Sequence, residues 1–589
     1  MKMTLDKSLL EKVKETAYKH ALINAVKHDG KPSLKAVIAK VVGEIPEIRK
    51  NVKEIIGLVR DVVEEVSKLS LDEQIEIIKK EWPELLSEEK REEKKELPPL
   101  PNAEPGKVVT RFAPNPDYVI HLGNARPALL SYWYAEKYSG KMILRFEDTD
   151  PRTKASFPEA YERIKEDLRW LGIKWNEEYI QSMRLPIFYD ILYKLIEKGG
   201  AYVDKCKASE FKKYRDSGKP CPHRELPVET HLEELDKILE GYYGEGEAVI
   251  RVKTDLTHPD PSVRDWVAAR IIDTTKTPHP IVGEKYILWP TYNLAAAVDD
   301  HLMGVTHILR AKEHVSNTIK QSYLYNHMGW KYPETIHFGR LSLEGVILSK
   351  SKMRALVREQ GMKAYDDPRF GTISGLRRRG IVREALWEII KDVGTKAIDA
   401  HISYVNLASI NRSIIDPIAT RYMGVADPVY AVLKGFTENL KAKIPRLLNK
   451  NDYQEYIVKP NTIVALSASD LKLFLDNNIV RLMGLGNFAL EKTVIEEKHL
   501  AVVLRLHSLS HEEAKKLRAP IIQWVLPSES IHLELIIPES MKITRKYMLI
   551  EKNILEREKP GNHIQLYRIG FARIDSIEED KVTAIFSHT

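Results

Sequence analysis

Apolar residues recur at helical spacing in the first part of the chain. Asp29-Gly30 with Pro32 ends one helix, and a second amphipathic helix follows it. The apolar face of this second helix is marked by Val52, Ile55, Val59, Val62, Val66 and Leu69. The pattern predicts helices up to about residue 86, within an N-terminal helical appendage over residues 1–96.

The charge pattern changes after these helices. Residues 88–96 read EEKREEKKE, nine consecutive charged residues, and residues 97–106 read LPPLPNAEPG. A charged helix end or solvated tether that runs into a Pro-rich stretch is typical of a domain boundary, so we predict a linker at 97–106. Acids and bases alternate in the charged run, which makes it a poor nucleic-acid contact.

A strand, a Pro-rich loop, a helix and a second strand come next. The strand over 108–112 ends at Pro114 and Pro116, the helix ARPALLSYWYAEKYSG closes at Gly140, and KMILRFED reads as the second strand. The N-terminus of such a helix carries free amides and a partial positive charge, which suits a phosphate. His121 adds an imidazole there, and Gly123 allows a close approach to the backbone. This segment therefore predicts a nucleotide-handling site.

Beyond about residue 410 the apolar positions alternate with period two. This alternation predicts short strands, and Pro560-Gly561-Asn562 marks a turn between two of them. The alternating positions are Leu500, Val502, Leu504 and Leu506, then Ile531, Leu533, Leu535 and Ile537. Antiparallel β-barrels over 411–589 are the natural solution for such strands.

Composition limits the remaining classes. With 589 residues, 43% of them apolar, the chain is long enough for about four domains, and a net charge of +7 permits a polyanionic partner without establishing one. Two cysteines exclude a disulfide framework and fit a reducing cytosol, so a cytoplasmic location is expected. The N-terminus lacks the apolar core of a signal peptide, and no apolar run is long enough for a membrane span.

A short polar loop stands far downstream of His121, in LEGVILSKSKM. Lys350 lies there between Ser349 and Ser351, just after the apolar residues 346–348. Such a lysine suits a mobile clamp on phosphate oxygens. Alone, this loop is usually a solvated turn, and HxGx alone is a weak pattern that fits an ordinary βαβ unit about as well as a functional site. The two segments in this order are far more specific than either.

HLGN and ILSKS resemble the HIGH and KMSKS signatures of class I aminoacyl-tRNA synthetases. The flanking RFAPNP, LRFEDTDPR, WPTYNLAAAVDDHLMGVTHILRAKEH and YDDPRFGTISGLRRRGI resemble the glutamyl/glutaminyl branch, and the β-rich C-terminal part resembles its archaeal form. The resemblance implies an α/β multidomain fold with a Rossmann-type catalytic core. The core's halves are expected at 107–202 and 287–375, with an inserted acceptor-stem-binding domain at 203–286. A helical stem-contact region at 376–410 and β-barrel anticodon-binding domains at 411–589 complete the chain.

The resemblance also implies a reaction: glutamate is activated by ATP with Mg²⁺, held mostly through the phosphates, and passed to the terminal adenosine of tRNA(Glu). Catalytic roles fall to His121, Asn124 and Lys350, and ATP contacts to these with Gly123, Leu348, Ser349 and Ser351. Asn124 replaces a histidine of the family signature. Tyr118 replaces a glycine, which leaves the conformation of the loop to be determined.

The resemblance assigns the amino-acid pocket to Arg111, Glu147, Tyr292 and Arg310. Glutamate has two carboxylates and one ammonium, so a selective pocket should offer two cations and one anion. A small uncharged residue stands at the position of Arg310 in the glutaminyl branch, because an amide side chain needs no cation. Arg310 therefore favours glutamate.

A metal-ligand pattern, D-x-C-x14-C-x-H, lies in the insertion and consists of Asp204, Cys206, Cys221 and His223. Some relatives hold Zn²⁺ there through Cys-x-Cys and Cys-x-His. Aspartate is less typical of a structural zinc site, so a metal-free loop that retains some ligands is the favoured interpretation and zinc the alternative.

Several alternatives stay open. Arg377, Arg378 and Arg379 are expected to contact tRNA through the resemblance alone. The N-terminal helices are either a plain accessory bundle or a docking surface for tRNA or a protein partner. Glutamine specificity, a catalytically inactive tRNA-binding paralogue and a compact nucleotidyltransferase are rival functions, although the length argues against the last. Whether tRNA(Gln) is also charged is left open.

Overall fold

The computed structural model describes residues 6–27, 30–45, 47–48, 51–82, 96–348, 352–353, 355–356, 359, 365–448, 451–496 and 499–589. The chain divides into two compact units, Met1–Glu96 and Leu97–Thr589. None of the helices in the described residues combines the length and apolar composition that a membrane crossing needs.

The first unit is helical, as predicted. The apolar positions 55, 59, 62 and 66 are fully buried, and α4 begins with a capping box between Ser70 and Glu73. Residues 88–95 of the charged run lie outside the described residues, and the role of these helices stays a prediction. The helices are α1 (Lys7–Lys27), α2 (Leu34–Glu44), α3 (Val52–Ser67) and α4 (Leu71–Glu81).

The second unit contains the remaining strands and helices. Its strands are β1 (Val109–Phe112), β2 (Lys141–Phe146), β3 (Glu177–Ile180), β4 (Ala201–Asp204), β5 (Val249–Val252), β6 (Val267–Ile271), β7 (Leu288–Pro290), β8 (His307–Ala311), β9 (Glu334–Phe338), β10 (Leu341–Leu343), β11 (Ala400–Ile402), β12 (Thr420–Tyr422), β13 (Gly424–Ala426), β14 (Pro428–Lys434), β15 (Leu440–Pro445), β16 (Tyr453–Val458), β17 (Ile463–Ser467), β18 (Val480–Leu482), β19 (Gly486–Glu496), β20 (His499–Ser508), β21 (Ile521–Ile522), β22 (Ser530–Glu539), β23 (Lys542–Glu551), β24 (His563–Leu566), β25 (Gly570–Ile577) and β26 (Lys581–His588). Its helices are α5 (Leu122–Lys137), α6 (Pro158–Trp170), α7 (Leu185–Glu197), α8 (Ala208–Ser217), α9 (Val228–Leu239), α10 (Tyr292–Leu302), α11 (Val315–Met328), α12 (Ile373–Arg378), α13 (Arg383–Val393), α14 (Tyr404–Ile415), α15 (Leu471–Asp476), α16 (His511–Lys516) and α17 (Ile554–Arg557).

The segment predicted as a linker, residues 97–106, packs on the catalytic part instead. The N–H of Leu100 donates to the hydroxyl of Tyr138 (3.0 Å), and the hydroxyl of Tyr134 donates to the carbonyl of Pro98 (2.9 Å). Leu100 is buried in an apolar cluster with Val108. The linker prediction is therefore corrected: the prolines suggest a spacer, but the leucines between them supply apolar surface that the sheet covers.

Parallel strands form the catalytic sheet. β1, β2 and β3 pair in parallel, and so do β8 and β9. The two parts meet where the N–H of Thr306 donates to the carbonyl of Val109 (2.9 Å), so the strands lie in the order β3-β2-β1-β8-β9. The direction of winding reverses between β1 and β8. Open α/β sheets bind ligands at the carboxyl ends of strands at such a reversal.

A four-stranded antiparallel sheet, β4-β5-β6-β7, interrupts the two halves of the parallel sheet. It spans residues 201–290 and so extends beyond the predicted insertion boundaries of 203–286 on both sides. The ion pair between Arg270 on β6 and Asp150 (2.9 Å) fixes this sheet against the loop after β2.

The C-terminal β-rich part contains a seven-stranded sheet, β12-β24-β25-β26-β22-β23-β13, and a six-stranded sheet, β17-β14-β20-β19-β18-β21. The predicted positions Ile531, Leu533 and Leu535 are buried, and strict alternation is seen in β15, where Leu440, Ala442 and Ile444 are buried. Two details differ. The sheets are mixed, because β14 pairs in parallel with β20 and β22 with β26. Residues 411–415, which the pattern placed with the strands, complete α14.

A buried ion pair joins the seven-stranded sheet to the β15–β16 hairpin. Glu551, at the end of β23, accepts from both Nη atoms of Arg446 (2.7 and 2.9 Å) and from the N–H of Met423 (2.7 Å). The hydroxyl of Tyr456 on β16 also donates to it. Since Arg446 and Glu551 are both shielded from water, loss of one partner leaves a buried charge without compensation.

We therefore expect Glu551→Ala to lower the free energy of unfolding by about 3–5 kcal/mol. Denaturant unfolding followed by circular dichroism measures the change. The matched control is Glu491→Ala, which removes an exposed pair with Arg505 and should cost less than about 1 kcal/mol. Equal losses in the two variants would contradict the role assigned to the buried pair.

Candidate active site

A cavity of about 840 Å³ opens at the carboxyl ends of β1 and β8. Its position at the winding reversal is the one that the sheet order predicts for a ligand. Residues from both halves of the parallel sheet line it, among them Arg111, His121, Glu147, Tyr292, Arg310 and His314. The sequence predicts five of these six as site residues.

His121 caps the N-terminus of α5. Nδ1 of its ring accepts from the backbone N–H of Gly123 (3.0 Å). The backbone N–H of His121 donates to Oδ1 of Asn124 (3.2 Å), which completes a capping box. Because Nδ1 is an acceptor, the neutral ring carries its hydrogen on Nε2. The cap therefore orients the ring N–H of His121 at the positive end of the helix, where the backbone N–H groups of Leu122 and Gly123 are already bonded within the protein.

Residues 370–372 connect the start of α5 with the residues that lead into the lysine loop, residues 349–351. The N–H of Leu122 donates to the carbonyl of Gly371 (3.0 Å), and the N–H of Gly371 donates to the carbonyl of Ile347 (2.9 Å). Leu348 follows directly. Ser349, Lys350 and Ser351 lie outside the described residues, so their predicted ATP contacts stay predictions.

Tyr118 replaces the glycine of the family pattern without strain. Its backbone is not among the described residues with positive φ, so no glycine is required there. Its ring is buried and packs edge-on against Tyr365, with ring centroids 5.4 Å apart. Ile347 and Phe370 belong to the same apolar cluster, so this side chain supports the base of the lysine loop.

Arg111, which lines the cavity, and the fully buried Arg145 share one carboxylate. Oδ1 of Asp300 accepts from Nε of Arg111 (3.1 Å) and from Nη1 of Arg145 (2.7 Å). Nη2 of Arg145 also donates to Glu147 (3.0 Å). Burial raises the pKa of Asp300, but Arg111 and Arg145 outweigh this effect and hold the pKa below its ordinary value. Asp300 is therefore ionised and anchors both guanidinium groups.

Arg310 is held differently. Its side chain is only 5% exposed, yet no carboxylate of the described residues lies within 4 Å of it. Its Nη atoms instead donate hydrogen bonds to neutral oxygens of Gln321, Thr318, Tyr332 and Tyr292. Burial lowers the pKa of Arg310, but the two tyrosines and Asp300 outweigh it, so the pKa lies above its ordinary value. Arg310 thus keeps its charge without a directly paired anion.

The charges of this cluster do not cancel. Arg111, Arg145 and Arg310 face two carboxylates, Asp300 and Glu147, which leaves one positive charge when both acids are ionised. His314 does not alter this balance, because burial and the nearby arginines lower its pKa to about 4. Burial raises the pKa of Glu147 against the attraction of Arg145 and Arg111, and a cation that binds beside it favours its ionised form.

Comparison with known proteins decides the family. Residues 107–417 match the model of the tRNA synthetases class I (E and Q) catalytic domain, and residues 419–507 match the anti-codon binding domain of the same enzymes. The chain belongs to the class I tRNA synthetases for glutamate and glutamine. The resemblance of the signature motifs to this branch is therefore confirmed.

The synthetase is similar to curated relatives over nearly its full length. It is 67% identical to the glutamate–tRNA ligase of Staphylothermus marinus over 567 residues, 96% of this chain and 100% of the relative. It is 53% identical to the glutamate–tRNA ligase of Hyperthermus butylicus over 583 residues, 96% of this chain and 100% of the relative. The glutamate–tRNA ligase of Ignicoccus hospitalis is 52% identical, covering 98% of this chain and 100% of the relative.

Sequence reasoning missed several residues of the synthetase's pocket. Asp300 and Arg145 form its ionic base, and Gln321 and Tyr332 surround Arg310. A signal exists for Asp300, because an acidic pair interrupts the apolar run LAAAV inside a helix, where a charge is costly unless it is paired. Gln321 gives no such signal, since a glutamine in a polar helix is ordinarily exposed.

Two arginines of the run predicted to contact tRNA make contacts within the protein, and the tRNA contacts themselves stay a prediction. Arg379 is only 7% exposed, and its guanidinium stacks on the ring of Tyr404 at 3.9 Å. Arg378 donates to Asp575 (3.0 and 2.7 Å) and to Asp366 (3.0 Å). These two arginines join α12 to the C-terminal sheets of the synthetase, a use of arginine that cannot be read from a run of three basic residues.

The four candidate metal ligands of the insertion come together. Nδ1 of His223 lies 3.4 Å from Sγ of Cys206 and 3.1 Å from Oδ1 of Asp204, and Sγ of Cys221 lies 3.7 Å from the same Oδ1. All four ligand atoms lie within 4.8 Å of one another. The other oxygen of Asp204 accepts from Nε of Arg251 (2.6 Å).

The shared role of Asp300 generates a prediction. Asp300→Asn keeps the shape but removes the charge that anchors Arg111 and Arg145, so we expect the KM for glutamate to rise on the order of 10–100-fold, with little change in the KM for ATP. Steady-state ATP–pyrophosphate exchange in the presence of tRNA measures both constants.

Asp299→Asn provides the matched control. Asp299 is buried on the same helix, but its carboxylate pairs with Arg184 (2.9 Å) and Gln181 (3.0 Å). This variant should lose stability and keep the KM for glutamate. If Asp299→Asn raised that constant as much as Asp300→Asn, the anchoring role of Asp300 would be wrong.

Proposed function

We propose that this synthetase is a glutamate–tRNA ligase. It activates L-glutamate with ATP to glutamyl-adenylate, releases pyrophosphate, and transfers glutamate to the 3′-terminal adenosine of tRNA(Glu). The observation that carries the proposal is Arg310, which is buried and charged without a directly paired carboxylate. The side-chain carboxylate of glutamate supplies the counterion that Arg310 lacks, whereas the neutral amide of glutamine leaves this buried charge uncompensated.

The amino-acid pocket divides into two kinds of group. We assign the two carboxylates of glutamate to Arg111 and Arg310, and its ammonium group to Glu147, which all line the cavity. The hydroxyl of Tyr292 lies 3.4 Å from Nη1 of Arg310 and lines the same cavity. This assignment is supported by the cavity lining and by the charge balance.

Activation places developing charge on phosphate oxygens when the α-carboxylate of glutamate attacks the α-phosphate of ATP. Preorganised donors stabilise that charge. The ring N–H of His121, at the positive end of α5, is the donor proposed for one side of the cavity. Lys350 is assigned to the other side, and the hydrogen bonds from Leu122 through Gly371 to Ile347 support that assignment. ATP brings Mg²⁺ with its phosphates.

The rival functions lack support from the pocket. A glutaminyl enzyme needs no cation at position 310, and a catalytically inactive paralogue has no use for a balanced glutamate pocket beside an intact nucleotide signature. The pocket does not choose between tRNAs, so a test of function must include tRNA(Gln). We propose the cytoplasm, where tRNA and ATP are present, as the place of action.

The proposal is tested by charging purified tRNA(Glu) and tRNA(Gln) with radiolabelled glutamate and glutamine. We expect glutamate on tRNA(Glu) and no glutamine on either tRNA. Arg310→Cys should lower kcat/KM for glutamate by at least about 100-fold, because the buried cation that meets a carboxylate is lost. Glutamate activation that survives this substitution unchanged would refute the role of Arg310.

We also propose that the insertion holds Zn²⁺ through Asp204, Cys206, Cys221 and His223. Ordinary zinc bond lengths place neighbouring ligands of a tetrahedral site roughly 3.3–3.8 Å apart. Two of the three separations above, 3.4 and 3.7 Å, lie in this range, and the third, 3.1 Å, is slightly shorter. Zinc with two thiolates, one carboxylate and a neutral imidazole has a net charge of −1. The guanidinium of Arg251 on Asp204 compensates that charge.

Metal analysis of the purified protein should therefore find about one zinc per chain. Cys221→Ser should lose it, because a hydroxyl does not replace a thiolate as a zinc ligand. Lys205→Ala, a change beside the cluster at a side chain that pairs with Glu234, is the control that keeps the metal. Zinc-free protein with the same melting temperature before and after added Zn²⁺ would reject the site.

A further inference from the structure

Gln321 lies at the centre of the contacts that hold Arg310. Its side chain, on α11, is fully buried. Oε1 accepts from Nη1 and Nη2 of Arg310 (3.1 Å each) and from the hydroxyl of Tyr332 (2.7 Å). The same hydroxyl accepts from Nη2 of Arg310 (3.0 Å). One amide oxygen therefore fixes the plane of the guanidinium.

The amide orientation of Gln321 is determined by its surroundings. Three donors converge on one terminal atom, which must be the oxygen. The other terminal atom lies 3.4 Å from Oδ1 of Asn293, which suits the amide nitrogen as donor. Gln321 thus positions Arg310 in the way that an acidic residue would, but without a negative charge.

Arg111 and Arg145, the other two buried arginines of the cluster, are held differently from Arg310. Arg111 and Arg145 are held by the carboxylate of Asp300, so their charge is partly compensated inside the protein. Arg310, at equal burial, is held by an amide and hydroxyl groups. The difference is one of charge and not of geometry, and it decides where in the cavity an anion is needed.

We propose that Gln321 is a positioning residue that sets the preference for glutamate over glutamine by holding Arg310 in place without neutralising it. The proposal rests on the proposed function, in which Arg310 meets a carboxylate of the substrate. A neutral holder leaves the full attraction of the guanidinium for that carboxylate. An acidic holder of the same shape would form an internal ion pair, and the pocket would then fit a neutral amide side chain as well as an anion.

Two substitutions separate charge from positioning. Gln321→Glu keeps the shape and an acceptor but adds the charge, and a turn of the Asn293 amide satisfies its second oxygen. Gln321→Met keeps the approximate length and neutrality but removes the acceptor. Kinetics with tRNA present give kcat, the KM for glutamate, the KM for ATP and the inhibition constant of glutamine, and melting temperatures with and without glutamate report binding alone.

We expect Gln321→Glu to raise the KM for glutamate by about 100-fold, with the KM for ATP within about 3-fold of the unsubstituted enzyme. The ratio of the glutamine inhibition constant to the glutamate KM should fall at least about 10-fold, and glutamate should no longer raise the melting temperature. Gln321→Met should raise the KM for glutamate about 10-fold, because the guanidinium is less well positioned, and should keep that ratio.

Other outcomes overturn the proposal. If Gln321→Glu keeps the ratio, or if Gln321→Met lowers it equally, the charge of the holder does not set the preference. Arg310→Cys, measured in parallel, identifies which idea fails. If Arg310→Cys loses glutamate activation while Gln321→Glu behaves like the unsubstituted enzyme, only the role of Gln321 is wrong. If Arg310→Cys retains full activation, the role assigned to Arg310 is wrong, and the proposal for Gln321 fails with it. The proposed function itself is wrong only if the unsubstituted enzyme does not activate glutamate in the presence of tRNA.

Discussion

One buried positive charge organises the amino-acid pocket of this synthetase. Burying a guanidinium group without an anion costs free energy. At Arg310 this cost is partly offset by neutral hydrogen-bond acceptors and by the attraction of the more distant Asp300. In the proposed function, a carboxylate of the substrate supplies the missing counterion. Selectivity for an acidic amino acid follows from the same charge, since a neutral amide gives the guanidinium no counterion.

The sheet topology brings this charge to the nucleotide. β1 provides Arg111 and leads into the His121 cap, whereas β8 provides Arg310 at its end. These strands are neighbours in the sheet. Almost two hundred residues separate them in the sequence, because the antiparallel sheet is inserted between the two halves of the parallel sheet. The winding reversal between β1 and β8 therefore places the amino-acid pocket beside the start of α5.

Arginine has three structural roles in this molecule, and burial and partners distinguish them. At Arg446 it forms a closed internal pair with Glu551. At Arg379 it stacks on Tyr404 and joins a helix to the C-terminal sheets. At Arg310 it is kept charged for an incoming group. A count of basic residues, or a run such as residues 377–379, does not separate these roles, because the count contains neither the partners nor the solvent exposure.

The sequence by itself determined the family, the order of the elements and much of the site. Local signals carry this information: prolines and glycine bound the β1–α5 unit, period-two alternation marks the C-terminal strands, and the His121 motif is contiguous. Only the tertiary structure decided that residues 97–106 are packed, that the C-terminal sheets are mixed, that Arg378 is paired with two aspartates and that Arg379 is buried. It alone brought Asp300 to Arg111 and Gln321 to Arg310. The physical reason is that solvation and charge compensation depend on neighbours distant in sequence, and no local pattern records them.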